Sequence, residues 1–370
     1  MPPFVYLDHN ATSPLRPAAL DAMVEILRAG GNPSSVHRWG RAARASIDAA
    51  RRQVAALVGA LPAEIVFTSG GTEANNLALA GAGGRHVLVS AVELDSVLRA
   101  AAGARTIRVD SDGVVDLAAL ERLLGASAEP ALVSVMLANN ETGVIQPVAE
   151  VVRIARAAGA LVHCDAVQAA GKMPVDLHGL GVDYMSLSAH KLGGPTGIGA
   201  LVIRGDAPFA GDRRGGGQES NRRAGTENVA GIAGFGAVAI EAGSSTETLR
   251  NQIEAGLRAI APDATIHGAG VPRLGNTTCI SMPGVRAETQ VMALDLAGVG
   301  VSAGAACSSG KVQRSAVLTA MGVEPAVAEA AIRISLGWNS TQADIERLIE
   351  AWQELYIRVT HSDYPQAQAA

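Results

Sequence analysis

Short apolar runs rich in Val, Ile and Leu alternate with Ala- and Leu-rich segments of helical period along the first 250 residues. Glu64–Ser69, His86–Ser90, Thr106–Val109, Leu132–Leu137, Leu161–Cys164, Tyr184–Leu187 and Gly199–Ile203 read as strands, each followed by turn residues. Between them Arg41–Val58, Glu73–Ala80, Leu117–Leu124 and Pro147–Ala158 read as helices. Strands that alternate with helices predict an α/β fold with a mostly parallel sheet covered on both faces. Function in such sheets sits in the loops beyond the carboxyl ends of the strands.

The pattern changes near residue 250. Helix Leu249–Ile260 precedes strands Ala264–His267 and Asn276–Met282, then helix Glu288–Ala297, strand Ala331–Leu336 and helix Thr341–Val359. Thr341-Gln-Ala-Asp344 reads as a capping-box-like start of that last helix. This part is expected to form a smaller α+β domain. The Gly211–Gly225 stretch is too polar for core and reads as a functional loop.

With 370 residues, the chain is expected to build two lobes. Hydrophobic residues make up 48%, charged residues 18%, and the net charge is −5, which describes a well-packed soluble protein. No basic run points to nucleic acid. No signal pattern or membrane-length apolar stretch is visible, so the expected compartment is the cytoplasm. Cys164, Cys279 and Cys307 are widely spaced without a CxxC pair, which argues against a disulfide framework or a metal cluster.

Composition sharpens the chemistry at one point. Only three of the 30 basic residues are lysines: Lys172, Lys191 and Lys311. Lys191 follows a buried strand in Ser188-Ala-His-Lys191 and is well placed to form an imine, because desolvation favours the neutral, nucleophilic amine. Lys172 and Lys311 read as ordinary loop lysines. Asp165 ends another buried strand, where it is either a helix cap or the partner of a cation such as a protonated pyridine nitrogen. Ser69-Gly-Gly-Thr-Glu73 joins strand to helix, either as a plain tight turn or as an anion cradle. Cys307 lies among Ser, Ala and Gly, the setting of an accessible thiol, whereas Cys164 and Cys279 sit inside apolar strands as inert packing.

Nine blocks in order then resemble the cysteine desulfurases, in the class V aminotransferase group of pyridoxal 5′-phosphate (PLP) enzymes. They are YLDHNAT (6–12), GNPSSVH (31–37), FTSGGTEANN (67–76), NNETGVIQP (139–147), HCDAVQ (163–168), SAHKLGGPTGIGAL (188–201), GGGQE with RRAGTEN (215–228), SAGAACSS (302–309) and IRISLG (332–337). The resemblance implies a PLP-dependent transferase fold of type I, its large domain carrying a seven-stranded sheet over 13–250. The small domain would combine 1–12 with 251–370. It implies a Schiff base between PLP and Lys191, with Asp165 on the pyridine nitrogen, Gln168 on the phenolic oxygen and Asn140 positioning cofactor and substrate. Gly71, Thr72, Ser188 and His190 would hold the phosphate, joined by Thr226 from the neighbouring subunit of a homodimer. Asn32 and Arg333 would bind the carboxylate of L-cysteine, and Cys307 would accept its sulfur as a persulfide. The long stretch between Cys307 and Arg333 resembles the branch with an extended cysteine loop, which passes sulfur to an acceptor or iron–sulfur scaffold protein.

One position departs from the family. Val92-Glu-Leu-Asp-Ser96 stands where a Glu-His pair is usual, so Leu94 replaces the ring-stacking histidine. Leucine covers a ring face without moving protons. This keeps open a class V lyase acting on cysteine, cystine or selenocysteine, and a non-catalytic scaffold of the same fold.

Overall fold

The computed structural model describes residues 4–243, 245–304 and 314–360, so Cys307 and Lys311 lie outside the described residues. The chain runs through β1 (Val5–Tyr6) and helices Pro17–Ala29 and Arg38–Leu57 before it reaches the central sheet. That sheet contains β2 (Ile65–Thr68), β3 (His86–Ser90), β4 (Arg105–Ile107), β5 (Ala131–Ser134), β6 (Leu161–Asp165), β7 (Tyr184–Ser188) and β8 (Gly199–Ile203). Their order is β2-β8-β7-β6-β5-β3-β4. The pairs from β7 across to β4 are parallel, and β8 runs antiparallel to both its neighbours. The seven strands expected from the sequence are these seven, within a few residues at each end. Beyond Ser134 the chain still bonds to β6, through Val135 N to His163 O and Leu137 N to Asp165 O. It thereby carries Asn139 and Asn140 out to the carboxyl edge.

Alternate residues on these strands feed opposite faces. Ile65, Phe67, Ala200 and Val202 join one apolar cluster with helices Arg38–Leu57, Leu117–Gly125 and Val148–Ala157, while Val66, Leu201 and Ile203 join another with helix Gly71–Gly81. Burial on both faces is why the strands read as unbroken apolar runs.

The remaining strands are β9 (Thr265–Ile266), β10 (Thr277–Ser281), β11 (Val299–Gly300), β12 (Ser302–Ala303) and β13 (Ala331–Ser335). Four of them form an antiparallel sheet in the order β12-β13-β10-β9, while β1 pairs in parallel with β11. Past β1 the chain stays bonded to this region through Leu7 N to Gly300 O and His9 N to Ser335 O. A separate apolar cluster joins Val5 and Leu7 to Ile253, Leu294, Ile334 and Trp352. Thr341 and Asp344 cap the last helix reciprocally, with Thr341 N donating to Asp344 Oδ2 at 2.7 Å and Asp344 N to Thr341 Oγ1 at 3.4 Å. No helix among the described residues is long and apolar enough to cross a membrane.

Helices Pro17–Ala29 and Val229–Glu241 have no counterpart in the sequence reading. The second contains three glycines, each of which weakens a helix interior. Here glycine serves close approach. A Cβ on Gly234 would sit 2.9 Å from Met23 Cγ, and one on Gly236 would sit 2.7 Å from Ala50 Cα. Helix propensity alone makes Gly236→Ala stabilising by about 1 kcal/mol. Overpacking against the Ala50 backbone reverses the sign, and the expected result is a loss of about 1–3 kcal/mol in urea unfolding. A more stable Gly236→Ala variant would show that the helices are free to separate.

Candidate active site

The turns after β2, β6 and β7 open on the same edge of the sheet, and they bring Ser69–Gly71, Asp165–Gln168 and Ser188–Lys191 together. Gly70 has φ +153°, in the region that favours glycine, and it leads directly into helix Gly71–Gly81. A Cβ on Gly199 would lie 2.7 Å from Gly70 Cα, so β8 can approach this loop only as a glycine. A Cβ on Gly71 would meet Val167 Cγ2 at 2.9 Å and Ser188 Cβ at 3.5 Å. These residues line a cradle at the positive end of a helix, where anions are favoured. The Ser188 hydroxyl in it is buried with no hydrogen-bond partner. Thr72 is exposed on the first helical turn. Glu73, in the same turn, accepts from Ser69 N, Arg213 and Arg223. Burial pushes its carboxyl up, but Arg223 and Ser69 outweigh that and hold it down at about 2.

Asp165 is buried, and its carboxyl accepts from Asn75 Nδ2 at 2.7 Å and from Val167 N at 2.9 Å. Desolvation raises its pKa, against the pull of Asn75, Val167 and Lys191. It forms no ion pair among the described residues, which leaves room for a cationic ring nitrogen as its partner. Asn75 was not singled out from the sequence. Its signal is a polar residue among the buried positions Ala74, Leu77, Ala78 and Leu79 of the same helix. Glu93 is buried near Asp165; desolvation, with Asp165 adding to it, raises its pKa well above the usual carboxylate range. Its Oε1 accepts from Met136 N, while Oε2 has no partner. Leu94 follows directly and leads into the short helix Asp95–Leu98.

Lys191 Nζ donates to Asn10 O at 2.6 Å and to Ala11 O at 2.7 Å. Burial first, then Arg333, lowers its pKa to about 8. The amine is therefore a far better nucleophile and base at neutral pH than an ordinary lysine. Gln168 Nε2 also donates to Asn10 O, at 3.0 Å. Asn10 Oδ1 accepts from Lys172 Nζ at 2.8 Å and Asn276 Nδ2 at 3.0 Å, and its Nδ2 donates to Asn140 O and Thr277 Oγ1. Lys172, expected as an ordinary loop lysine, thus belongs to the site. Burial, then Lys191 and Arg333, pushes its pKa well below the lysine range.

Arg333, on β13, donates to Asp8 Oδ1 at 2.6 Å and to Asn140 O at 3.2 Å, and its buried Nε has no partner. His190 Nδ1 bonds Thr12 Oγ1 at 3.2 Å, and burial, with the two lysines nearby, lowers its pKa to about 4. So Lys191, Asp165, Gln168, Asn140 and Arg333 meet around Asn10 and the sheet edge. Asn32 and Thr226 are exposed and make no hydrogen bond to any of them among the described residues. Cys164 and Cys279 are buried free thiols whose pKa values desolvation raises, as befits inert packing.

The donors and unpartnered atoms fit PLP: a cradle with a free hydroxyl for a phosphate, a carboxylate without a cation for a ring nitrogen, and an amine of depressed pKa for an aldehyde. Among the described residues no group of His, Cys, Asp and Glu is placed to hold a metal ion.

Glu141, next to Asn140, accepts from Ser315 Oγ at 2.6 Å, and Gly304 packs beside it. Burial raises its pKa from 4.5 to about 7, opposed by Ser315 and Arg333. The folded carboxyl keeps its proton where the unfolded one has lost it. Stability therefore falls as pH rises from about 4.5 to about 7 and levels off above. Glu141→Gln should remove this fall, gaining up to ~3 kcal/mol over the unmutated chain at pH 8 and about nothing at pH 4.5. Thermal unfolding at the two pH values checks it, and equal pH dependence in both proteins contradicts it.

Comparison with known proteins identifies the family of the chain. The family model for aminotransferase class-V matches residues 5–348. A cysteine desulfurase of Cereibacter sphaeroides is 45% identical, with 94% of each chain covered. An IscS-like cysteine desulfurase of Mycobacterium tuberculosis is 40% identical over 93% of this chain and 94% of its own. Among solved structures, a NifS-like protein from Rickettsia africae superposes with a TM-score of 0.87 at 37% identity, covering 95% of this chain and 99% of its own. The chain belongs to the cysteine desulfurase family of class-V aminotransferase-like enzymes.

Proposed function

We propose that this enzyme removes sulfur from L-cysteine with bound PLP, releasing L-alanine and leaving a persulfide on Cys307. The observation that supports it best is the meeting of Lys191, its amine lowered to about 8, with a buried Asp165 that has no cation of its own. The bound cofactor supplies an electron sink for negative charge at the substrate Cα.

The chain's own residues take the remaining roles in this reading. Gly71, Thr72, Ser188 and His190 hold the phosphate, Asp165 faces the ring nitrogen, and Gln168 donates to the phenolic oxygen. Arg333 meets the substrate carboxylate through its guanidinium fork, with Asn32 beside it, and Asn140 orients the substrate. Lys191 binds the cofactor, and with Leu94 in place of a histidine it also carries the Cα proton. The Cys307 thiolate attacks the substrate sulfur. An S–S bond forms as the C–S bond breaks, the C–S electron pair stays on carbon, and carbon takes a proton to give alanine.

The reading includes a homodimer in which Thr226 completes the neighbour's phosphate site. Leu20, Leu27, Trp39 and Ile240 are exposed on helices Pro17–Ala29, Arg38–Leu57 and Val229–Glu241, and large apolar side chains left in water support such an interface. It also includes a division into 13–250 and a smaller part from 1–12 and 251–370, supported by two apolar clusters, each drawn almost entirely from one part. Sulfur delivery to an acceptor or iron–sulfur scaffold protein, in the cytoplasm, completes it.

Leu94 favours one second reading, a lyase on cysteine, cystine or selenocysteine. Purified protein given L-cysteine separates the two. Desulfuration yields alanine and sulfide in equal amounts under reductant, whereas pyruvate with ammonia marks the lyase. Cys307→Ala is expected to cut alanine formation at least about 100-fold; full turnover in that variant removes Cys307 from its role.

A further inference from the structure

Lys172 is a polar group of the site to which the chemistry above gives no task. It lies four residues past Gln168, and its Nζ donates to Gln168 Oε1 and to Asn10 Oδ1, each at 2.8 Å. No carboxylate pairs with it among the described residues, so it is not half of an ion pair. Its N–H groups go to two amide oxygens instead.

That choice has a geometric effect. A glutamine amide accepts at one end and donates at the other, while a lysine amine has at least two N–H groups to give in either protonation state. Holding Oε1 on Lys172 turns Nε2 the other way. One of its hydrogens goes to Asn10 O at 3.0 Å, which leaves the second for another acceptor. Asn10 cannot swing to relax this. Its Nδ2 is spent on Asn140 O and Thr277 Oγ1, and its Oδ1 on Lys172 and Asn276. The amide of Gln168 is thus held at one end by an amine whose other contact is itself fixed.

We infer that Lys172 is a positioning residue: it sets the Gln168 amide so that the free N–H of Nε2 faces the phenolic oxygen of bound PLP. The inference rests on the PLP reading and adds to it a residue that acts only through Gln168.

The test is a pH titration of the visible absorption band of the holoenzyme, for the unmutated chain and for Lys172→Met, Lys172→Arg, Gln168→Leu and the double variant Lys172→Met/Gln168→Leu. A donor on the phenolic oxygen draws off charge that otherwise helps to hold the proton at the Lys191 linkage, so weakening it moves the titration midpoint up. Lys172→Met is expected to raise the midpoint by about one pH unit, the size of a hydrogen bond to a charged group. Gln168→Leu shifts it the same way, and the double variant shifts no further than Gln168→Leu alone. Lys172→Arg, which keeps donors, restores most of the original midpoint.

A Lys172→Met midpoint equal to that of the unmutated chain overturns the inference. So do shifts that add in the double variant, since residues acting through one another do not add. If Lys172→Met does not fold, the same cycle with Lys172→Gln decides, because the shorter side chain does not reach Gln168 Oε1. An unmutated chain that binds PLP with no visible band sinks the PLP reading and this inference together. A normal band with an unmoved midpoint sinks the inference alone.

Discussion

Asn10 has almost every hydrogen-bonding group it owns in use. Its backbone N–H goes to the Ser335 hydroxyl at the end of β13, its carbonyl accepts from Lys191 and Gln168, and its amide joins Asn140 to Asn276 and Thr277. A side chain so occupied has one rotamer and one orientation. It ties the carboxyl edge of the central sheet to the four-stranded sheet at the place where the two lysines of the site meet. The neighbouring contacts make the same junction: Arg333 on β13 reaches Asn140 O, and Asp8 holds the guanidinium from the other side. The geometry of the site therefore depends on how the first ten residues thread between the sheets.

Around this brace the protein manages charge by burial. Three basic side chains, Lys172, Lys191 and Arg333, gather at the sheet edge, and burial together with their mutual repulsion lowers the pKa values of the two lysine amines. Glu93 responds in the opposite direction, its pKa raised by burial and by Asp165. His163, buried between Ser134 and Ser186, has its pKa lowered to about 3 by desolvation. Asp165 keeps two N–H donors, which favour its charged form against the desolvation that opposes it. The result is a pocket with an available amine, a carboxylate in want of a cation and a free hydroxyl in a glycine cradle. That combination suits a phosphorylated, aldehyde-bearing heterocycle.

The central sheet was legible because burial on both faces leaves a plain signature of apolar runs, and the strand-end placing of Asp165 and Lys191 followed from it. Helix Val229–Glu241 was not, since its glycines argue against a helix locally while the contacts with Met23 and Ala50 that require them are distant in sequence. β1 and β11 are two-residue strands with too little pattern to read. Lys172 reads as a loop lysine because its importance lies in one contact across a turn, to Gln168, and another across 162 residues, to Asn10. Asn75 is hidden for the same reason, its partner Asp165 lying 90 residues on. Polar contacts of that range leave no period in a sequence.

Of the three lysines of the chain, Lys191 is the one whose amine would bond the cofactor, although Lys172 is also drawn into the site and Lys311 is the third. Reduction of the PLP-loaded protein with borohydride, followed by digestion and mass mapping, reads this directly. One phosphopyridoxyl label per chain is expected, on the peptide that carries Lys191. A label on Lys172 or Lys311, or no label at all, would contradict it.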